Sequence, residues 1–326
     1  MGVSEFDIIR DYFTTLGCAR DDVICGIGDD AALLQVPPDR ELAVSLDTLV
    51  AGVHFPLDTP AAAIGHKALA VGLSDLAAMG AEPAWLTLGL ALPGVDPEWL
   101  AAFSGGMGAL AREHRLQLVG GDTTRGPLSV TVQVHGLVPA GQAFLRSAAV
   151  PGDHIYVTGT LGDAGLALRA LQESLPLAAD MAATLRARLD SPTPRLREAL
   201  GLRGLIHAAI DVSDGLCADL GHILNMSGVG ATLWVDELPL SAALQSMMDD
   251  LGRDACLKLA LGAGDDYELC FTSAPENHEQ VRQRCAEIGC AVRQVGVIGA
   301  APGLRCRRAD GSAFQPGRRG YDHFEG

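Results

Sequence analysis

The chain has 326 residues, 40 acidic against 24 basic side chains, and a formal net charge of −16. That length is more than one hydrophobic core comfortably serves, so two domains are expected, and the charge excludes a sequence-independent grip on DNA or RNA, which needs Lys and Arg against phosphates. There is no apolar run of about 18 residues, so no transmembrane helix and no membrane partner are expected.

Residues 1–20 lack a basic stretch followed by an apolar block, so no secretory signal is expected. Eight cysteines are scattered without a C-x-x-C pair. That argues against a zinc site or a disulfide framework, and for the reducing cytoplasm.

In chain order, residues 42–46 predict a short strand that ends at Asp47. A helix is predicted over 60–79, with Asp58 or Thr59 as cap, Pro60 in its first turn and Gly80 after its end. Asp75 falls near the C-terminal end of that helix, where the macrodipole disfavours a negative charge unless a cation is close. A second helix is expected over 97–114, then a strand over 116–119 that runs into Gly120-Gly121-Asp122. Residues 129–138 alternate, with Val130, Val132 and Val134 on one face and Thr131, Gln133 and His135 on the other, the mark of a half-buried strand. The alternation favours an α+β sheet over a buried parallel one.

Pro139, Gly141, Pro151 and Gly152 mark a boundary near 140–152. The domains are therefore set at 1–140 and 150–326. The second half restarts with a strand over 155–158, a turn over Gly159–Gly165 and a helix. A strand over 210–212 leads through Asp214-Gly215 into a helix that ends near Met226. A strand over 267–272, a helix over 275–289 and a strand over 291–298 follow, then a polar, Gly-rich tail.

Six short acidic motifs punctuate these elements: Gly26-Ile27-Gly28-Asp29-Asp30, Ser45-Leu46-Asp47-Thr48, Ser74-Asp75-Leu76, Gly120-Gly121-Asp122-Thr123, Asp211-Val212-Ser213-Asp214-Gly215 and Gly264-Asp265-Asp266-Tyr267-Glu268. Carboxylate oxygens are the hard ligands that Mg²⁺ prefers. Acids held close together raise one another's pKa unless a cation neutralises them. The repeated pattern points to several metal ions and to phosphate chemistry.

Gly26–Ala31 also fits G-x-G-x-x-A, but two aspartates stand where a pyrophosphate needs bare amides, so the dinucleotide reading is rejected. Gly159–Gly165 is read equally as a phosphate-cradling loop or a structural turn. No Walker A sequence, H-R-D or D-F-G occurs, which excludes P-loop enzymes and protein kinases. No Ser, Cys or His has a specific partner base, so nucleophilic catalysis is not expected.

Taken together, Gly26–Ala32, Asp47–Phe55, Lys67–Ala81, Gly120–Leu128, Asp211–Leu216, Gly264–Leu269 and the terminal Gly320-Tyr321-Asp322-His323-Phe324 resemble the thiamine-monophosphate kinases of the aminoimidazole ribonucleotide synthetase superfamily. The resemblance runs from about Glu5 to Phe324. It implies an N-terminal α+β domain whose sheet pairs across a homodimer, a C-terminal α+β domain, and the reaction ATP + thiamine monophosphate → ADP + thiamine diphosphate with Mg²⁺.

Residue by residue, it implies metal ligation by Asp30, Ser45, Asp47, Asp75, Asp122, Asp211 and Asp214, and by Leu46 through its carbonyl. It implies nucleotide contacts from Gly121, Asp122, Arg146 and Ser213. His54, Asp265 and Tyr321 fall at substrate positions, with Asp265 where the relatives often carry Glu. No catalytic residue beyond the metal ligands is expected, because the acceptor phosphate is already largely ionised near neutral pH. Selenophosphate synthetases and hydrogenase-maturation relatives rely on a reactive cysteine, near the N-terminus or at the C-terminus. The settings of Cys18 and Cys25 and the terminal Glu325-Gly326 do not match either.

Overall fold

The computed structural model describes residues 4–317 and Gly320. The chain forms two compact units: one takes in the chain up to Leu76 and Ala81–Gly141, the other Ala77–Gly80 and the chain from Gln142 onward.

The first unit begins with a short helix, Glu5–Ile8, which continues as a wide turn over Ile9–Phe13. Ser4 caps it in reciprocal exchange with Asp7, an arrangement that satisfies two otherwise orphaned amides. A two-stranded ribbon follows, β1 (Val23–Cys25) with β2 (Leu33–Leu34). The main sheet has β3 (Arg40–Val50), β4 (Glu82–Leu92), β5 (Gln117–Arg125) and β6 (Ser129–Pro139), in the order β3-β6-β4-β5. The β3–β6 and β6–β4 pairs are antiparallel and β4–β5 is parallel.

Helices Ala61–Ala78 and Pro97–Glu113 lie close together. A Cβ on Gly65 would sit 2.1 Å from the carbonyl oxygen of Phe103, and one on Gly106 would sit 2.0 Å from that of Ala62. Only glycine permits that approach. Gly72 faces Val134 and Asp47, so helix 61–78 covers the sheet face that carries Val130, Val132 and Val134. The strand at 129–139 is half-buried as its alternation predicts, and it lies inside the sheet rather than at its edge. The edges are β3 and β5, and β3 runs two residues further at its N-terminal end and four further at its C-terminal end than its sequence signal over 42–46.

The second unit holds a seven-stranded sheet. Its members are β7 (His154–Thr158), β8 (Ala209–Val212), β9 (Gly230–Trp234), β10 (Glu268–Ser273), β11 (Val292–Gly299), β12 (Gly303–Arg307) and β13 (Ala313–Phe314), in the order β13-β12-β9-β11-β7-β10-β8. Ile155, Val157, Ile210, Val212, Leu233, Val295 and Ile298 point from it into a core shared with Leu216, Leu220, Ile223 and Leu224 of the helix Leu216–Ser227. A smaller cluster joins Leu166 and Ala167 of helix Asp163–Glu173 to Leu185 and Leu189 of helix Ala179–Asp190. Among the described residues no helix is long and apolar enough to cross a membrane.

Candidate active site

Strand β3 places Ser45 and Asp47 on the face covered by helix 61–78, where Asp75 meets them. Ser45 Oγ hydrogen-bonds Asp75 Oδ2. Asp47 shares a hydrogen bond with Asp75, and its pKa is raised to about 7, first by burial and then by the Asp75 charge. Its Oδ2 is buried and has no hydrogen-bond partner. A buried carboxylate oxygen left unpaired is costly, and a hard cation removes that cost. The donor set therefore fits Mg²⁺. Leu46, between them, points to the opposite face and is 58% exposed, so only its backbone can serve a ligand on the Asp47 side.

A cavity of about 660 Å³ in the same unit is lined by Gly28, Asp29, Asp30, Gly120, Gly121 and Asp122, with Phe6, Ile9 and Phe13 from the N-terminal segment as its apolar wall. Asp122 does not follow the end of its strand, as its sequence setting predicts: it sits inside β5, opposite Gly89. The strand continues past a shift of register between β5 and β4 at Leu86–Thr87. Gly121 makes the continuation possible, since a Cβ there would lie 2.0 Å from the Leu88 carbonyl oxygen. Its glycine is explained by packing before any ligand is considered.

His54 lies in the loop between β3 and helix 61–78. Its Nδ1 accepts from the Val50 amide at 3.0 Å, and Lys67 Nζ donates to its carbonyl at 3.3 Å. Lys67 is almost wholly buried, so the helix fixes the loop that carries the imidazole.

In the second unit, Asp211 is buried at the end of β8. The amides of Asp265 and Tyr267 both donate to the backbone of this strand end, to Ser213 O and Val212 O, at 2.8 Å each. The Tyr267 hydroxyl donates to Asp265 Oδ1 at 3.0 Å. Asp211, Ser213, Asp214 and Asp265 are thus drawn to one corner. Asp265 and Tyr267 adopt positive φ of 60° and 48°, a strained conformation that tends to mark functional loops.

Asp219 also belongs here, and the motifs did not reveal it. Its Oδ2 accepts the amides of Asp214 and Gly215 at 3.1 and 3.0 Å. Burial, then Asp211 and Asp214, push its pKa up to about 8. Asp214 followed by an acid five residues on is the only local signal it leaves. The structure does not bring Arg146 to this corner. It starts an exposed turn whose carbonyl accepts from Ser227, at the far end of helix 216–227, about 18 Å along the axis from Asp214-Gly215. Tyr321 lies outside the described residues.

The Gly159–Gly165 segment resolves to a structural turn. The Gly162 amide is already taken by both oxygens of buried Asp266, at 2.9 and 3.0 Å. Among the described residues no three His, Cys, Asp or Glu side chains close into one metal cluster. The acids of the first unit form a tight pair, Asp47 with Asp75, and two cavity walls, Asp30 and Asp122.

Two family models match the chain: AIR synthase related protein, N-terminal domain, over residues 28–138, and AIR synthase related protein, C-terminal domain, over 150–308. The thiamine-monophosphate kinase of Salmonella typhimurium is 49% identical over 326 residues, 99% of each chain. The crystal structure of thiamine-monophosphate kinase from Stenotrophomonas maltophilia K279a superposes with a TM-score of 0.84 at 50% identity, covering 90% of this chain and 93% of that one. AaThiL complexed with AMPPCP and TMP superposes with a TM-score of 0.77 at 28% identity, covering 91% and 92%.

Proposed function

Because the chain belongs to the thiamine-monophosphate kinase family of AIR synthase related proteins, we propose that its carboxylates organise the transfer of the ATP γ-phosphoryl group to thiamine monophosphate. The products are thiamine diphosphate and ADP. Two anions must be brought together, and repulsion between them is the main obstacle. The observation that carries the residue assignment is the unpartnered buried oxygen of Asp47 against Asp75.

Bound Mg²⁺ supplies the positive charge that offsets the phosphates. Asp47, Asp75 and Ser45 hold it on the covered face of the sheet, while Asp30 and Asp122 serve the cavity beside Gly121. Asp211 and Asp214 take further Mg²⁺, and Ser213 contacts the nucleotide. Asp219 fixes the two amides of that turn and so the direction of Asp214. His54 and Asp265 are assigned to the cationic substrate, Asp265 with its orientation set by Tyr267. Arg146 and Tyr321 keep their nucleotide and substrate assignments on the resemblance alone. The acceptor phosphate needs no general base, so transfer is direct and in line, without a phosphoenzyme.

The first unit is assigned metal, nucleotide and dimer contacts, and the second the remaining nucleotide and substrate contacts. A homodimer is supported by the apolar edge strand β3, with Leu42, Val44 and Leu46 exposed. The cytoplasm is supported by eight cysteines without a disulfide among the described residues.

The assay is thiamine diphosphate formation from ATP, Mg²⁺ and thiamine monophosphate. Asp47→Asn is expected to lower kcat by more than about a hundredfold with an unchanged fold by circular dichroism. Near-normal turnover at saturating Mg²⁺ would remove Asp47 from the metal set.

A further inference from the structure

The second unit contains a cleft of about 770 Å³ that shares no residue with the carboxylate sites. Its floor is the sheet face opposite the main core. On this face Arg307 of β12 stands opposite Trp234 of β9, and Gln294 of β11 opposite Tyr156 of β7. Arg282 and His278 approach from the helix His278–Ile288, and Arg293, Arg308, Asp236 and Glu237 complete the wall.

In a chain with 40 acids and 24 bases, four guanidiniums face this cleft against two carboxylates. Neither carboxylate is idle: Asp236 accepts from Arg253 and from the Ala309 amide, and Glu237 pairs with Arg293. Arg308 pairs with Asp254 at 2.7 Å, and Arg282 lies 3.6 Å from Glu279 with both side chains largely exposed. Exposed pairs of that kind contribute little and exchange readily for a better anion. Arg307 has no carboxylate partner among the described residues; its Nη1 donates to the Gly311 carbonyl at 2.8 Å.

The aromatic part is equally organised. Trp234 is half-buried with its ring on the cleft. Tyr156 is fixed beneath, stacked on Phe271 with ring centroids 5.2 Å apart and hydrogen-bonded to His278 Nδ1 at 2.9 Å. A flat ring beside unneutralised guanidinium suits a ligand with the same two parts. The volume lies within the range of small-molecule sites.

We propose that this cleft is a second ligand site, for a small molecule that joins a planar ring to a phosphate, with the ring on Trp234 and the phosphate on Arg307 and Arg282. It stands independently of the reaction assigned to the carboxylates.

Tryptophan fluorescence of the full chain reads it directly. Trp85 is fully buried and Trp99 is stacked on Phe103, which leaves Trp234 as the indole that a cleft ligand touches. The probes are adenosine monophosphate, thiamine monophosphate and inorganic phosphate, each added with a metal chelator present. Saturable quenching by either ring-bearing phosphate is expected, and the stronger of the two identifies the source of the ring. Arg307→Ala and Arg282→Ala are each expected to weaken binding about tenfold without moving the thermal midpoint. Trp234→Phe should abolish the quenching, and Asp122→Asn should leave it intact. The proposal is overturned by absence of saturable quenching with both ring-bearing probes, by equal affinity in the arginine variants, or by inorganic phosphate binding as tightly as adenosine monophosphate.

Discussion

Asp47 and Asp219 are carboxyls that the folded chain holds far above their ordinary pKa, at about 7 and about 8. Burial is the first cause for both, and neighbouring aspartates add to it. A raised folded pKa means that the folded state binds more protons than the unfolded one. The associated stability is complete below the unfolded pKa of about 4 and is lost as pH rises through the folded values. The metal-free protein should therefore melt at a lower temperature at about pH 8 than at about pH 5, with unfolding free energy lower by an amount on the order of a few kcal/mol. Asp219→Asn keeps an oxygen to accept the Asp214 and Gly215 amides but cannot ionise, so its melting temperature should fall less over the same range. An unchanged pH slope in that variant would show that Asp219 does not carry the charge cost. Added Mg²⁺ should restore stability at the alkaline end, because it favours the ionised acids around it.

At the scale of the element, the turn after β7 shows why some motifs were legible and others were not. Gly159-Thr160-Leu161-Gly162 reads as well for a phosphate loop as for a turn. The choice is made by Glu268, over a hundred residues away, which is wholly buried and held by Arg188, Arg195 and Thr158. Gly159 has φ of 55°, and a Cβ there would lie 2.1 Å from Glu268 Oε1. Gly159→Ala should lower the unfolding free energy by about 2–4 kcal/mol, from backbone strain together with overpacking. Gly228 has φ of 66° and open space where its Cβ would go, so Gly228→Ala should cost about 1 kcal/mol from backbone strain alone. Equal losses in denaturant unfolding would mean that the Glu268 contact is not tight.

Helix 97–113 and strand 129–139 were readable because one face of each is buried by its own sequence pattern, whereas helix 61–78, buried on nearly all sides from Ile64 onward, was readable from Pro60 in its first turn and Gly80 after its end. Strand β4 leaves a weaker signal although Leu86, Leu88, Leu90 and Leu92 alternate, since Pro83 and the small residues at 89 and 91 blur it. The partners of Asp219 and the arginine cleft were not readable. The first is a side chain turned back on its own helix start, and the second is assembled by the register of strands distant in sequence.

Across the whole molecule, β3 has two tasks that its alternation keeps apart. Residues 45 and 47 face helix 61–78 and carry the acid site, while 42, 44 and 46 face away and are apolar. Leu42, Val44 and Leu46 are 45%, 49% and 58% exposed, on a strand of 11 residues at the edge of its sheet. Long apolar edges invite pairing with another chain, and proteins that remain monomeric usually blunt them with charge or proline. A second copy of the same sheet is the partner that the family resemblance implies. Moving the register by one residue would put Ser45 and Asp47 on the pairing face and the leucines against the helix, so assembly and chemistry hold one another in place. Val44→Lys points a charge at the pairing face and leaves the covered face untouched. It should convert a dimer to a monomer in sedimentation velocity while leaving the monomer folded by circular dichroism. A wild-type chain that sediments as a monomer at micromolar concentration, or a Val44→Lys variant that stays dimeric, would show that β3 is not the assembly edge.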